Sequence, residues 1–330
     1  MLRLWFSVVP ASRTDDATTS SAPAGSESLF TVLVAFGANL LIAVAKTVAA
    51  VITGSASMVA EAAHSWADAG NEVFLLIADR RSARARDRSH PLGYGREAYV
   101  WSMFAAFGLF SAGAVVSIWH GVTELLEPEA AADFFVAYLV LGIAFVLEGI
   151  SFLQAVRQTR GTARSLHRRP AWHILNTSNP TLRAVFFEDA AALVGLVLAG
   201  AGVALHQLTG SPVPDAIGSI LVGLLLGVVA VVLIDRNRRF LIGEAVDETI
   251  RSSVLAHLLA RPDVERVTYL HLEFVGPSRM FLVAAVDMAG DDAERRLAER
   301  LRRVERELEQ EPTIEEAVLT LATADEPALT

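Results

Sequence analysis

Six apolar runs, each near or above the length needed to cross a bilayer, constrain this chain more than any other feature. They fall at about 29–50, 56–78, 98–120, 134–156, 182–206 and 213–234, where a spanning helix needs about 20 residues. Of 330 residues, 53% are hydrophobic and 20% charged, and mean hydropathy is +0.42. That balance argues against a soluble globular chain.

The loops give the orientation. "RRSARARDRSHPLGYGR", "RQTRGTARSLHRR" and "DRNRR" are rich in arginine, whereas "TELLEPEAAAD" and "HQLTGSPVPD" contain no Arg or Lys. Basic loops stay in the cytoplasm, so six spans with both termini inside are expected. The arginines cluster where topology wants them, and the net charge is −9, so no nucleic-acid partner is expected. The absence of cysteine excludes disulfides and thiolate ligands. Any transition metal must be held by His, Asp, Glu or backbone oxygen. There is no nucleotide-binding glycine motif and no arrangement suited to an activated nucleophile, so neither ATP drive nor an enzyme is expected.

Composition divides the chain into an N-terminal tail at 1–27, rich in Ser, Thr, Pro and Ala and expected to be disordered, a membrane region at 28–240, and a soluble region at 241–330. The opening apolar run of the tail is short for a signal peptide. From about 243 the periodicities read helix, strand, strand, helix, strand. This order predicts one small sheet covered on one face by two helices.

Ionisable residues interrupt the apolar runs. In "AEAAHSWADAGNE", His64, Asp68 and Asn71 fall at i, i+4 and i+7 and share one helical face, with Glu61 and Glu72 beside it. Such groups are costly in a span unless they pair, meet water or bind something. Span five carries Glu188 and Asp189. Neighbours on a helix point about 100° apart, so at most one aims squarely at a partner helix. Span four contributes Glu148, with Ser151 nearly one turn on. Span one carries Asn39 and Lys46, the only lysine of the chain. A Lys46 pair with Glu148 or Glu61 would relieve the desolvation of both charges. A bonded pair of His64 and Asp68 that merely glues helices together is one reading. The second acid pair and the small residues around it favour metal or proton handling by His64, Asp68 and Asp189.

With these residues in place, the chain resembles the cation diffusion facilitator family. The matching stretches are "GSASMVAEAAHSWADAGNEVFLL", "HPLGYGREAYVWS" and "FLIGEAVD". "LEG-S" at Glu148 and Ser151 and "FEDAAALVG" at Glu188 and Asp189 look most like the branch of the mitochondrial zinc transporters and their bacterial relatives. The resemblance implies an α-helical membrane protein with six transmembrane helices followed by a cytoplasmic ferredoxin-like α/β domain. It implies a homodimer in the lipid bilayer, placed in the bacterial inner (plasma) membrane. The transported substrate would be zinc or another divalent transition-metal ion, exchanged for protons without an organic cofactor.

The family's site takes two ligands from span two, matched by His64 and Asp68, and two from span five. There Asp189 matches the second position, but Val185 stands at the first and cannot bind a metal. Glu188, Glu148, Asn71 and a bound water are the alternatives for the missing donor. Carboxylates outnumber imidazole, which keeps Fe(II), Co(II) and Mn(II) open beside zinc. Val185 also keeps open a non-transporting dimeric scaffold that has lost a complete site. Asp87 and His90 in the arginine-rich loop, and His257 and His271 in the soluble region, are read as structural. Asp215 is read as the N-cap of span six, a position that suits a helix-dipole role as readily as a metal-entry role.

Overall fold

The computed structural model of the chain describes residues 25–127, 133–165, 170–290 and 292–329. The tail expected at 1–27 lies almost entirely outside the described residues. Long helices coincide with the apolar runs: α1 (Gly25–Thr53), α2 (Ala56–Ser82), then α3 (Glu97–Ala105) and α4 (Ser111–Leu126) joined by a π-helical turn (Ala106–Phe110). α5 (Phe134–Ser165), the short α6 (Pro170–Asn176), α7 (Pro180–Thr209) and α8 (Val213–Leu241) follow. Five of these stretches are long and apolar enough to cross a membrane, namely Phe36–Thr53, Glu97–Leu126, Phe134–Gly161, Pro180–Thr209 and Val213–Leu241. α2, with 27 residues, has the length, but it carries the ionisable residues that lower its hydropathy.

The helices are apolar outside and partly polar inside. Val51, Phe107, Val115, Phe135 and Val231 are exposed, whereas Lys46, Glu61, His64 and Asn71 are buried. Water as the outer solvent would penalise both halves of this pattern, and hydrocarbon favours both. Small residues let the backbones approach. A Cβ added at Gly218 would lie 2.6 Å from Ser57 Oγ, which itself donates to the Asp215 carbonyl at 2.8 Å. Asp215 is buried inside the first turn of α8, and its backbone N–H reaches Pro212 O at 3.0 Å. The N-cap expected at Asp215 is therefore corrected, since the helix begins two residues earlier. Prolines tolerate the first turn because its N–H groups have no intrahelical partner.

The chain forms two compact units. The first comprises residues up to 77, 101–177 and 181–236, and holds the helical bundle. The second comprises 78–100, 178–180 and 237–330. Its C-terminal part runs α9 (Glu248–Leu259), β1 (Val264–Gly276), β2 (Arg279–Met288), α10 (Glu294–Leu308) and β3 (Ile314–Leu321). β1 and β2 pair antiparallel, β2 and β3 parallel, in the order β1-β2-β3. The parallel pair requires the crossover that α10 supplies. One face of the sheet, with Leu270, Leu272, Leu282, Ala284, Ala317 and Leu319, packs with Leu258, Val304 and Leu308 of the two helices into one core. Asp247 caps α9 by accepting from the Thr249 and Ile250 backbone N–H groups. The helix, strand, strand, helix, strand order read from the periodicity is the order of this region.

The segment 78–100, which runs from the end of α2 to the first turn of α3, joins the second unit through its own contacts. Tyr99 stacks on Phe240, with ring centroids 5.1 Å apart, and Phe240 meets Phe274 edge-on. Gly95 lies so close to the hairpin that a Cβ there would be 2.6 Å from Val275 O. Arg96 pairs with Glu273, and Arg279 pairs with Glu315 at 3.0 Å.

Candidate functional site

α2 is rich in alanine, the strongest helix former, which lets it remain helical while carrying a polar stripe. Ser57, Glu61, His64, Ser65, Asp68 and Asn71 are all buried on it. Apart from the adjacent His64 and Ser65, their spacing of three and four residues puts them on neighbouring positions of one side. His64 is 1% exposed and Asp68 6%.

Within this stripe His64 Nδ1 lies 3.5 Å from Asp68 Oδ1. Neither ring nitrogen of His64, nor Asp68 Oδ1, has a hydrogen-bond partner among the described residues. Asn71 Nδ2 donates to Glu188 Oε2 at 2.6 Å, which joins α2 to α7. Glu188 is also within hydrogen-bond reach of Asp68. Two carboxyl groups that close need a proton or a cation between them, because like charges at contact repel strongly.

Asp189, the next residue of α7, turns elsewhere. Its Oδ2 accepts from Ser151 Oγ of α5 at 2.8 Å, and Glu148 of α5 is among its electrostatic neighbours. Glu72 accepts from Asn39 Nδ2 at 2.7 Å and is an electrostatic neighbour of Asp189 and Glu148. Of the six candidate donors, His64 meets Asp68, Glu188 meets Asn71 and neighbours Asp68, Asp189 is held by Ser151, and Glu148 is an electrostatic neighbour of both Asp68 and Asp189. Val185 is half-buried and packs with apolar Leu75, Ala184 and Leu226. Among the described residues no three His, Asp or Glu side chains form a ready-made metal-holding group. The donors meet in pairs across α2 and α7.

A third pair had two candidate partners in the sequence. Lys46 Nζ of α1 donates to Glu61 Oε2 at 2.9 Å, and both side chains are fully buried. Breaking such a pair by removing one partner costs about 3–5 kcal/mol, because the other charge is left uncompensated.

In the second unit Asp87 accepts from Ser89 Oγ at 2.6 Å, Tyr94 Oη at 2.7 Å and the His90 backbone N–H at 2.9 Å. Hydrogen bonds from Ser89, then Tyr94 and His90, hold its carboxyl well below the usual range. The His90 ring stacks on Tyr94, with centroids 4.0 Å apart. Asp87 thus organises the turn. On β1, His271 lies 3.7 Å from Glu273, the carboxylate that also receives Arg96.

Residues 32–242 match the cation efflux transmembrane domain family. Metal tolerance protein C4 of Arabidopsis thaliana is 37% identical over 233 residues, 71% of this chain and 51% of that protein. A mitochondrial proton-coupled zinc antiporter of Xenopus laevis, SLC30A9, is 35% identical over 259 residues, 78% of this chain and 46% of its own length. The chain spans about half the length of these two relatives. The magnetosome protein MamB of Paramagnetospirillum magneticum is 22% identical over 247 residues, 75% of this chain and 78% of that protein.

Proposed function

Because this chain belongs to the cation efflux family, we propose that it exports a divalent transition-metal ion, zinc foremost, in exchange for protons at the α2–α7 cluster. The single observation that carries the reading is His64, buried with both ring nitrogens unpartnered, one turn from Asp68, whose own electrostatic neighbours include Glu188. Imidazole with carboxylates suits zinc and its neighbours in the transition series better than magnesium or calcium. The relatives named as a metal tolerance protein and a proton-coupled zinc antiporter support the same substrate class.

The donor set proposed here is His64, Asp68 and Glu188, with the Asn71 side-chain oxygen available if its amide turns. Glu188 takes the place that Val185 leaves empty of chemistry. Asp189, held by Ser151, supports this arrangement from the α5 side. An incomplete, paired set of donors suits a transporter, which must release its ion as well as hold it.

Proton coupling follows from the same atoms. A metal binds only the imidazole lone pair and ionised carboxylates, so the ion and protons compete for identical positions. In the state open to the cytoplasm the deprotonated donors take up the ion. In the state open to the other side protons reach His64 and the carboxyl groups, and the ion leaves. The protonated site then returns. The arginine-rich loops support an orientation with 78–100 in the cytoplasm of a bacterial plasma membrane. The family resemblance supports a homodimer, which the mass of the purified protein in detergent would test.

The deciding experiment is a cation panel in proteoliposomes under an imposed pH gradient, with wild type beside Asp68→Asn. Saturable zinc uptake that stops when the gradient collapses, and is absent in Asp68→Asn, is the expected result. Uptake of Fe(II), Co(II) or Mn(II) in preference to zinc would move the substrate within the class. Uptake indifferent to the gradient would refute the coupling, and a folded protein without saturable metal binding would make the chain a scaffold.

A further inference from the structure

Glu61 is a carboxylate beside the proposed site that the donor set does not use. It sits on α2 one turn before His64, fully buried, and is an electrostatic neighbour of Asp68. One oxygen, Oε2, accepts from Lys46 Nζ at 2.9 Å. The other, Oε1, is buried with no hydrogen-bond partner and fits against Gly195 of α7, where a Cβ would lie only 2.6 Å away. Lys46 itself stands among Glu61, Glu148 and Asp68, and its charge reaches His64.

Nothing in the chemistry of Glu61 makes it a poorer metal donor than Asp68. A third carboxylate would change the site's character, since hard oxygen donors suit Mn(II) and Ca(II), whereas imidazole with few carboxylates suits zinc. The Lys46 ammonium, held in place by α1, occupies Glu61 Oε2. We propose that Lys46 is a tethered cation that holds Glu61 out of the donor set, and so sets the preference of the site for zinc over harder divalent ions. Lys46 is in this sense a positioning residue, acting on the transported ion through Glu61. The inference rests on the transport reading above.

The test compares zinc, manganese and calcium uptake in proteoliposomes of full-length wild type, Lys46→Met, Glu61→Gln and the double variant. In Lys46→Met the freed carboxylate should raise the manganese-to-zinc uptake ratio by about tenfold, the scale on which neighbours of a ligand tune metal affinity. In Glu61→Gln the unpaired ammonium should repel the incoming ion and raise the half-saturating zinc concentration by about tenfold. The double variant carries neither charge and should return both readouts to the wild-type range. A wild-type metal ratio in Lys46→Met, or a double variant that remains shifted, overturns the proposal. Should the single variants fail to insert, the double variant decides alone: an unchanged ratio supports the inference, and a changed one makes Glu61 a ligand and refutes it. A wild-type protein that transports none of the three ions sinks the transport reading itself, an outcome distinct from a transporting wild type with an unmoved Lys46→Met.

Discussion

Asn71 and Glu188, 117 positions apart, meet at 2.6 Å, with the Asn71 amide donating to the Glu188 carboxylate. This bond selects one face of α7 as the partner of the polar stripe on α2. It puts Glu188 beside Asp68 and turns Asp189 toward Ser151 on α5.

Glu188→Gln should therefore lower zinc uptake more than Asp189→Asn. The first removes a proposed donor. The second alters a group proposed to support the site, for which a loss of about 10–100-fold in metal affinity is the usual scale. Uptake and equilibrium zinc binding on both variants check this, and an unaffected Glu188→Gln would remove Glu188 from the donor set.

Gly195→Ala should weaken zinc transport several-fold while leaving the bundle folded. The new methyl would meet Glu61 Oε1 at 2.6 Å, and the end of a flexible side chain gives way more readily than backbone. Displacing that carboxylate loosens its bond to Lys46. Shortening the side chain in Gly195→Ala/Glu61→Asp should restore part of the activity, which no general loss of packing would allow.

The turn held by Asp87 should loosen in acid. Its folded carboxyl lies below the ordinary range, through hydrogen bonds from Ser89, Tyr94 and His90. A depressed carboxylate contributes its full stabilisation above the unfolded value, about 3.9, and loses it as pH falls through the folded value. Amide exchange across residues 88–94 should therefore accelerate only in strongly acidic solution. In Asp87→Ala it should be several-fold faster already at neutral pH.

Leu282→Ala should destabilise the second unit by about 2–5 kcal/mol, the usual range for truncating a buried leucine. Leu282 is fully buried at the centre of the sheet, among Leu272, Leu258 and Val304. Thermal unfolding of the full-length protein should show an earlier loss of sheet signal, with metal uptake at low temperature reduced less than in Glu188→Gln.

Much of this architecture is written along the chain. Apolar length placed five long helices apolar enough to cross a membrane, because hydrocarbon leaves a spanning backbone few other conformations, while α2 is lower in hydropathy because of its ionisable residues. Period-two and helical patterns were equally sufficient for the order of elements after residue 243. The cap was less legible than the boundary: α8 begins at Val213, where the apolar run begins, and Pro214 and Asp215 both lie inside its opening turn, with the Asp side chain buried.

The sequence by itself also determined which residues of α2 share a face, since helical geometry fixes relative directions within one element. It could not determine how far α7 is rotated toward α2, and two adjacent acids about 100° apart exchange roles with a modest rotation. Only tertiary packing decided that Glu188 meets Asn71 while Asp189 meets Ser151, and that Lys46 reaches Glu61 Oε2. Gly195 shows the physical reason: it is the absence of a side chain there that lets the Glu61 carboxylate lie against α7. Facing directions between helices come from such contacts across the bundle, and no pattern within a single helix encodes them.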